Sequence, residues 1–236
     1  SNFTFQVALD PGKSRIMETE PPQPRSSPTL LRRLIHLDTA VSLNLYTLFQ
    51  PILPYSLLKS LEVSGDGRLF FPVTLSLLLT TTPIAAIPTT PATLLLLNLL
   101  IGALFDLLLI GIIKHLVQRP RPVYNKNMFL SFAVDHWSFP SGHSSRVSFI
   151  ATFCFFYLGE IREILLINFL NFEAESLVVE YFVVMVGLWA AITSVSRVLL
   201  GRHFVLDVIA GACLGIFEGL VVFRLLNYEN FSTWFR

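Results

Sequence analysis

Charge is what this sequence has least of. Asp, Glu, Lys and Arg make up 14% of its 236 residues, against about 25% in an ordinary soluble domain. None of them occurs from Leu69 to Phe105, from Val147 to Gly159 or from Tyr181 to Ser196. A hydrocarbon core of about 30 Å is crossed by roughly 20 mostly apolar residues, so these runs exclude a soluble globular domain. The charge that is present balances, with 17 basic and 16 acidic residues and a net charge of +1, which excludes a basic nucleic-acid-binding face. Cysteine is nearly absent. Cys154 and Cys213 both lie in apolar segments, which leaves neither a disulfide framework nor a CxxC metal site and reads as buried free thiols. A cleavable signal-peptide pattern and internal repeats are missing as well.

What is there is a succession of apolar helices, 53% of the residues being hydrophobic. The pattern predicts an all-α fold, a polytopic membrane helical bundle of five or six transmembrane helices. Residues 1–28 are polar and carry Pro11, Pro21, Pro22, Pro24 and Pro28, as a disordered tail does, with Met17 read as the natural start. Residues 29–228 form the membrane-embedded domain and 229–236 a short tail. Spans are expected over Leu69–Ala86, Ala92–Ile113, Gly142–Leu158, Leu177–Ser196 and Val205–Leu226. Thr29–Leu53 has apolar residues at helical spacing opposed by Arg32, Arg33, His36 and Asp38, which suits either an interfacial helix or a weak first span. Ser64-Gly65-Asp66-Gly67 is a turn signal, and Glu160–Ser176 reads as an acidic, amphipathic surface connection.

Charged residues at the ends of membrane helices are costly, and here they gather at three junctions. Lys114, Arg119 and Arg121 follow one span, Pro140-Ser141-Gly142-His143 begins the next, and Ser196-Arg197 with His203 and Asp207 joins the last two. Counting crossings puts all three junctions on one side of the membrane, where they can converge. Lys114, Arg121 and Arg197 offer fixed positive charge, and the arginines offer forks suited to phosphate oxygens. Ser141 and the backbone N–H groups of Ser141 and Gly142 open a helix start, a ready anion site, and Gly142 permits close approach. His203 and Asp207 share a helix face at i,i+4, so the carboxylate would fix the imidazole tautomer. His203 is then the natural nucleophile and His143 the natural general acid. No carboxylate cluster suits Mg²⁺ or Ca²⁺; the cations would stand in for a metal, and no cofactor is called for.

Lys-x6-Arg-Pro (Lys114, Arg121, Pro122), Pro-Ser-Gly-His (Pro140–His143) and Ser-Arg-x5-His-x3-Asp (Ser196, Arg197, His203, Asp207) resemble the type 2 phosphatidic acid phosphatase superfamily, complete and in order. The resemblance covers about Thr29–Tyr228. Arg119–Asn125 and Ser138–Arg146 look most like the polyisoprenoid and presqualene diphosphate phosphatases and the plant lipid phosphate phosphatases. The resemblance implies metal-independent hydrolysis of a lipid phosphate or isoprenoid diphosphate through a phosphohistidine. His203 would attack phosphorus, Asp207 orient it, and His143 protonate the leaving oxygen. Lys114, Arg121, Ser141, Gly142 and Arg197 would hold the phosphoryl oxygens. It implies a multi-pass protein of the endoplasmic reticulum or a plastid membrane, with the bilayer and a lipid substrate as its partners; oligomeric state stays open.

Three other readings stand beside it: a lipid phosphotransferase using the same intermediate, a non-catalytic membrane binding protein, and a vanadium-dependent haloperoxidase, whose resembling members are soluble. Arg119 is expected to support a phosphate or headgroup. His36, His115 and His136 are read as structural or interfacial, Asp106 as a polar contact to another helix, and Glu180 and Glu218 as facing water or headgroups near span ends.

Overall fold

A computed structural model describes residues 30–81, 90–124, 136–168 and 175–234. Among these the chain is helical throughout. The helices are α1 (Leu30–Phe49), α2 (Tyr55–Ser64), α3 (Gly67–Thr81), α4 (Pro91–Val117), α5 (Gly142–Phe156), α6 (Leu158–Asn168), α7 (Glu175–Leu199), α8 (Val205–Arg224) and α9 (Tyr228–Trp234). Three of them, Pro91–Val117, Tyr181–Leu199 and Val205–Arg224, are long and apolar enough to cross a membrane, by length and composition. At 27 residues α4 extends about 40 Å.

Local signals set these boundaries. Thr90 caps α4 by accepting the Thr93 N–H, with Pro91 at the first helical position. The helix stops at Gln118, which is left-handed at φ 50, ahead of Arg119-Pro120, where a proline disfavours the helical conformation of its predecessor. Ser141 caps α5 by accepting the Ser144 N–H. The turn at 64–67 separates α2 from α3, which carries Pro72 within it. Helices therefore stand where spans were expected, with shifted ends, but α3 and α5 are only 15 residues long and fall short of the three that can cross by length and composition. Those expectations that touch 82–89, and the loop over 125–135, lie in part outside the described residues.

The core is built on α5. Phe149, Phe153 and Tyr157 are buried with Ala103 of α4 and Val222 of α8, and the Phe153 and Tyr157 rings stack at 4.3 Å. Close approach comes from glycine on α8. A Cβ at Gly211 or Gly215 would collide with the backbone carbonyl oxygens of Ser141 and Ser145, and one at Gly219 would lie 2.7 Å from Thr152 Cγ2. These three positions, four residues apart, form the small-residue stripe by which membrane helices approach without large side chains between them. The outward faces carry Leu104, Leu107, Leu108 and Ile112 on α4 and Ile209, Ile216 and Phe217 on α8, where lipid replaces water as the solvent.

Helix α1 turns the expected pattern round. Its buried residues are Asp38 and Ser42, while Leu30, Leu31, Leu34 and Leu37 are exposed. Asp38 and Ser42 reach the backbone N–H groups of Leu206 and Val205, Tyr46 stacks on Tyr124, and Leu45 and Phe49 pack with Leu58, Leu199 and Leu200. Asp38, Ser42, Leu45, Tyr46 and Phe49 thus meet the short stretch 199–206 or its neighbours. A spanning helix alongside α8 would meet successive turns of it. Helix α1 instead lies across one end of the bundle.

Three expectations need correction. Glu218 is fully buried and accepts a hydrogen bond from Ser145 Oγ at 3.2 Å, because its face of α8 is the one packed on α5. Cys213 is exposed and Cys154 only partly buried, since an apolar run in a membrane can face lipid as readily as the core. Asp38, expected on the polar face opposite the leucines, is buried while the leucines are exposed. Asp106 does make its contact to another helix, accepting from Arg146 Nη2 of α5 at 3.0 Å. The side chain of Glu180 lies outside the described residues.

The glycine stripe generates a paired prediction. Gly215→Val should abolish folded, monodisperse protein in detergent, because a backbone carbonyl cannot move aside. Gly111→Ala, where an added Cβ meets nothing within 4 Å, should stabilise by roughly 0.5–1 kcal/mol. Thermal melting of the two purified variants checks both.

Candidate active site

At the end of the bundle under α1, three short segments meet. Lys114, on the last turn of α4, donates to the Trp137 carbonyl at 3.1 Å. The two arms of the loop after α4 are pinned together, with the Ser138 N–H on the Arg119 carbonyl at 2.8 Å and Ser138 Oγ on the Pro120 carbonyl at 3.1 Å. The Ser141 N–H donates to the Asp207 carbonyl at 2.9 Å, joining the start of α5 to the start of α8. Gly201 turns the chain between α7 and α8 in the left-handed region at φ 68, with Tyr124 and Tyr46 packed so closely that no side chain would fit. The structure thus brings Lys114, Arg121, Ser141, Gly142, His143, Arg197, His203 and Asp207 to one end of the bundle.

The geometry assigns the protons on His203. Its Nδ1 lies 2.7 Å from the Ser138 carbonyl oxygen, which can only accept, so Nδ1 carries the hydrogen. Nε2 is then a lone pair, directed 3.3 Å from Arg121 Nη1. Arg121 Nη1 also donates to the Arg202 carbonyl at 2.9 Å, which fixes the guanidinium beside the ring. Burial, and after it Arg121, Arg197 and Lys114, hold the His203 pKa well below its usual value of 6.5. The ring is neutral at pH 7, as a nitrogen nucleophile must be.

Asp207 stands differently from its expected place. Its Oδ2 is 3.8 Å from His203 Nδ1, beyond hydrogen-bond reach. That oxygen accepts the Phe204 N–H at 3.0 Å, and Oδ1 accepts from Arg119 Nη1 at 2.7 Å. A backbone carbonyl therefore orients the imidazole, and the carboxylate braces the turn on which the ring sits. Arg119 in turn spans Asp207 and Asp38, donating from Nη2 to Asp38 Oδ2 at 2.7 Å, and its guanidinium lies over the Phe204 ring at 4.1 Å. Both forks are engaged with carboxylates, so the support expected of Arg119 for a phosphate or headgroup does not appear; its place is structural.

His143 and Arg197 complete the cluster. His143 Nε2 and Arg197 Nε are buried without a hydrogen-bond partner. A buried polar atom left unsatisfied costs roughly 1–3 kcal/mol, so two of them at one place point to a ligand. Arg197 Nη1 lies 3.1 Å from Glu62 Oε1 on α2. Among the described residues no group of three or more His, Cys, Asp or Glu is placed to hold a metal ion. His36, His115 and His136 are exposed.

Sequence reasoning passed over Ser138, Asp38, Glu62 and Arg202. Ser138 acts through its backbone, which no side-chain pattern reveals. A signal did exist for the carboxylates: three or more cations in a low-dielectric site need counter-ions, and acidic residues on otherwise apolar or amphipathic helices were the available supply.

Comparison with known proteins places the chain among relatives of the same architecture. Residues 94–231 match the PAP2 superfamily. The chain is 38% identical over 215 residues to "Probable lipid phosphate phosphatase beta" of Arabidopsis thaliana, an alignment covering 88% of this chain and 97% of that one. It is 31% identical over 131 residues to "Phosphatidylglycerophosphatase B" of Bacillus subtilis strain 168, covering 56% of each. In fold it is similar to the crystal structure of a transmembrane PAP2 type phosphatidylglycerolphosphate phosphatase from Bacillus subtilis, with a TM-score of 0.61 at 21% identity over 86% of this chain and 88% of that one. It is also similar to Aquifex aeolicus LpxE, with a TM-score of 0.50 at 22% identity over 77% and 94% of the two chains.

The bracing of Asp207 can be tested from α1. Asp38→Ala removes the acceptor of both Arg119 and the Leu206 N–H, and should cost about 2–4 kcal/mol of stability. Asp38→Asn should recover part of it. In the folded fraction kcat should fall at least tenfold while KM stays within about twofold, because Asp38 holds the turn of His203 and not the substrate. Steady-state kinetics alongside thermal melting checks this.

Proposed function

The chain belongs to the PAP2 superfamily, and from that premise we propose that it hydrolyses a lipid phosphate or isoprenoid diphosphate through a phosphohistidine, without a metal ion. The observation that carries this reading is the His203 Nε2 lone pair, held beside the Arg121 guanidinium by the Ser138 carbonyl. The printed names of its relatives, a probable lipid phosphate phosphatase and a phosphatidylglycerophosphatase, support a lipid phosphate as the substrate class.

The residues divide the work as follows. Lys114, Arg121, Arg197 and the backbone of Ser141 and Gly142 hold the phosphoryl oxygens. A Cβ on Gly142 would meet only Ile110, at 3.5 Å, so packing does not demand glycine there, whereas an approaching anion does. His203 Nε2 attacks the terminal phosphorus and its bond to the leaving oxygen breaks, that oxygen being the lipid oxygen of a monophosphate or the bridging oxygen of a diphosphate. His143, charged by a proton that the anionic substrate favours, gives that proton to the leaving oxygen. It then takes a proton from water, which attacks phosphorus, breaks the bond to Nε2 and frees phosphate. The cations stabilise the charge that gathers on the equatorial oxygens. Asp207 acts at one remove, through the turn at Phe204 and as a negative charge 3.8 Å from the ring. The tail of the substrate stays among the apolar faces that the helices turn to lipid.

Purified protein should release phosphate from farnesyl diphosphate, presqualene diphosphate or phosphatidic acid in excess EDTA, and His203→Ala should lower the rate by at least a thousandfold. Loss of activity in EDTA, or survival of activity in the variant, would overturn the mechanism. Release that appears only as transfer to an added alcohol would make the enzyme a phosphotransferase. Because the His203 pKa lies below 6.5, the nucleophile stays unprotonated as pH falls from 8 through 6.5. The acid limb of kcat/KM due to this group should therefore lie below pH 6.5, as a pH–rate profile would show.

A further inference from the structure

Glu62 is a carboxylate in a site built for anions. It lies on α2, which contains none of the catalytic motif positions, and it is buried. Its Oε1 sits 3.1 Å from Arg197 Nη1 and 3.7 Å from Arg202 Nε, and its Oε2 accepts from Lys59 Nζ at 2.7 Å. Burial pushes its carboxyl upward, but Arg197, the Lys59 hydrogen bond and Arg202 outweigh that and hold its pKa below the usual carboxylate value. The following turn closes over the catalytic side, since a Cβ at Gly65 would lie 3.6 Å from His143 Cδ2 and 3.0 Å from Thr193 Cγ2. The indole of Trp189 anchors the same turn, donating to Ser64 Oγ at 3.0 Å.

This places one negative charge against a guanidinium that the proposed function uses for phosphate. The contact has two physical consequences. It offsets the cost of burying Arg197 and Arg202 before substrate arrives. It also opposes a second anion at Arg197, because like charges a few ångströms apart repel strongly where water is scarce.

We propose that Glu62 is the internal counter-ion of the phosphoryl site, competing with phosphate for Arg197 and so setting how tightly substrate headgroup and product phosphate are held. This rests on the reading of Arg197 as a phosphoryl ligand. Without the carboxylate, phosphate would bind more tightly and leave more slowly. Lys59 draws on the other carboxylate oxygen from a half-exposed position, so it weakens the hold of Glu62 on Arg197.

The test uses the full chain in detergent, with inorganic phosphate as the probe and its affinity read from the upward shift of the melting temperature, so no turnover is needed. Glu62→Gln should bind phosphate five- to tenfold more tightly than wild type, and phosphate should inhibit its lipid hydrolysis at correspondingly lower concentration. Lys59→Ala, which leaves the buried residues intact, should move phosphate affinity the opposite way, by about twofold. Equal or weaker phosphate binding by folded Glu62→Gln overturns the proposal. Where Glu62→Gln does not fold, Lys59→Ala decides: tighter or unchanged phosphate binding overturns the proposal, and weaker binding supports it. Absence of lipid phosphate hydrolysis by wild type, with phosphate affinities shifting as stated, would instead overturn the proposed function and leave the counter-ion in place.

Discussion

Helices α5 and α8 lie with their backbones in contact, and the arrangement of every catalytic group depends on it. The glycines at 211, 215 and 219 leave no side chain between the two helices. Their starts are then close enough for the Ser141 N–H to reach the Asp207 carbonyl at 2.9 Å. That bond satisfies one of the four orphan donors at the α5 N-terminus and fixes the distance between the segment of His143 and the turn of His203. Membrane helices gain nothing from hiding apolar surface from each other when lipid tails are equally apolar, so close packing must supply the attraction. A stripe of small residues achieves this without a polar atom.

Charge compensation is the second constraint. Five basic residues, Lys114, Arg119, Arg121, Arg197 and Arg202, converge where little water reaches. Three carboxylates answer them from three different helices: Asp38 from α1, Glu62 from α2 and Asp207 from α8. Two of them also brace the backbone, since Asp38 takes the Leu206 N–H and Asp207 the Phe204 N–H. In both carboxylates one oxygen balances Arg119 and the other accepts a backbone N–H. Deeper in the bundle the same logic recurs, with Arg146 of α5 answered by Asp106 of α4 and Ser145 bonded to Glu218 of α8. Asp106, Arg146, Ser145 and Glu218 thereby link α4, α5 and α8 through polar contacts.

Helix α1 joins the outer surface of the bundle to the site. Its exposed leucines face outward while Asp38 and Ser42 face the turn that holds His203. A helix lying across the end of the bundle is thus attached to the first turn of α8 by two side chains four residues apart. A second turn, at Ser64–Gly67, lies against His143 and is anchored by Trp189. The site is enclosed by two elements that contain none of the motif residues.

Residue types and their spacing are enough to indicate the helical class, the membrane setting and the residues that converge. Long charge-free runs admit few other structures, and charge survives at span ends only with a reason, so the groups around Lys114, His143 and His203 stood out by type and spacing. Tertiary structure alone decided how those groups are held. The Ser138 carbonyl, and not Asp207, accepts the His203 Nδ1–H hydrogen bond, and a backbone oxygen leaves no trace in residue identity. Asp38 and Glu62 are far along the chain from the groups they serve, and only packing shows that their helices turn inward. Glu218 and Cys213 sit in one apolar run, yet one faces α5 and the other lipid. Hydropathy measures how readily a residue leaves water, and in a membrane both faces of a helix have left it.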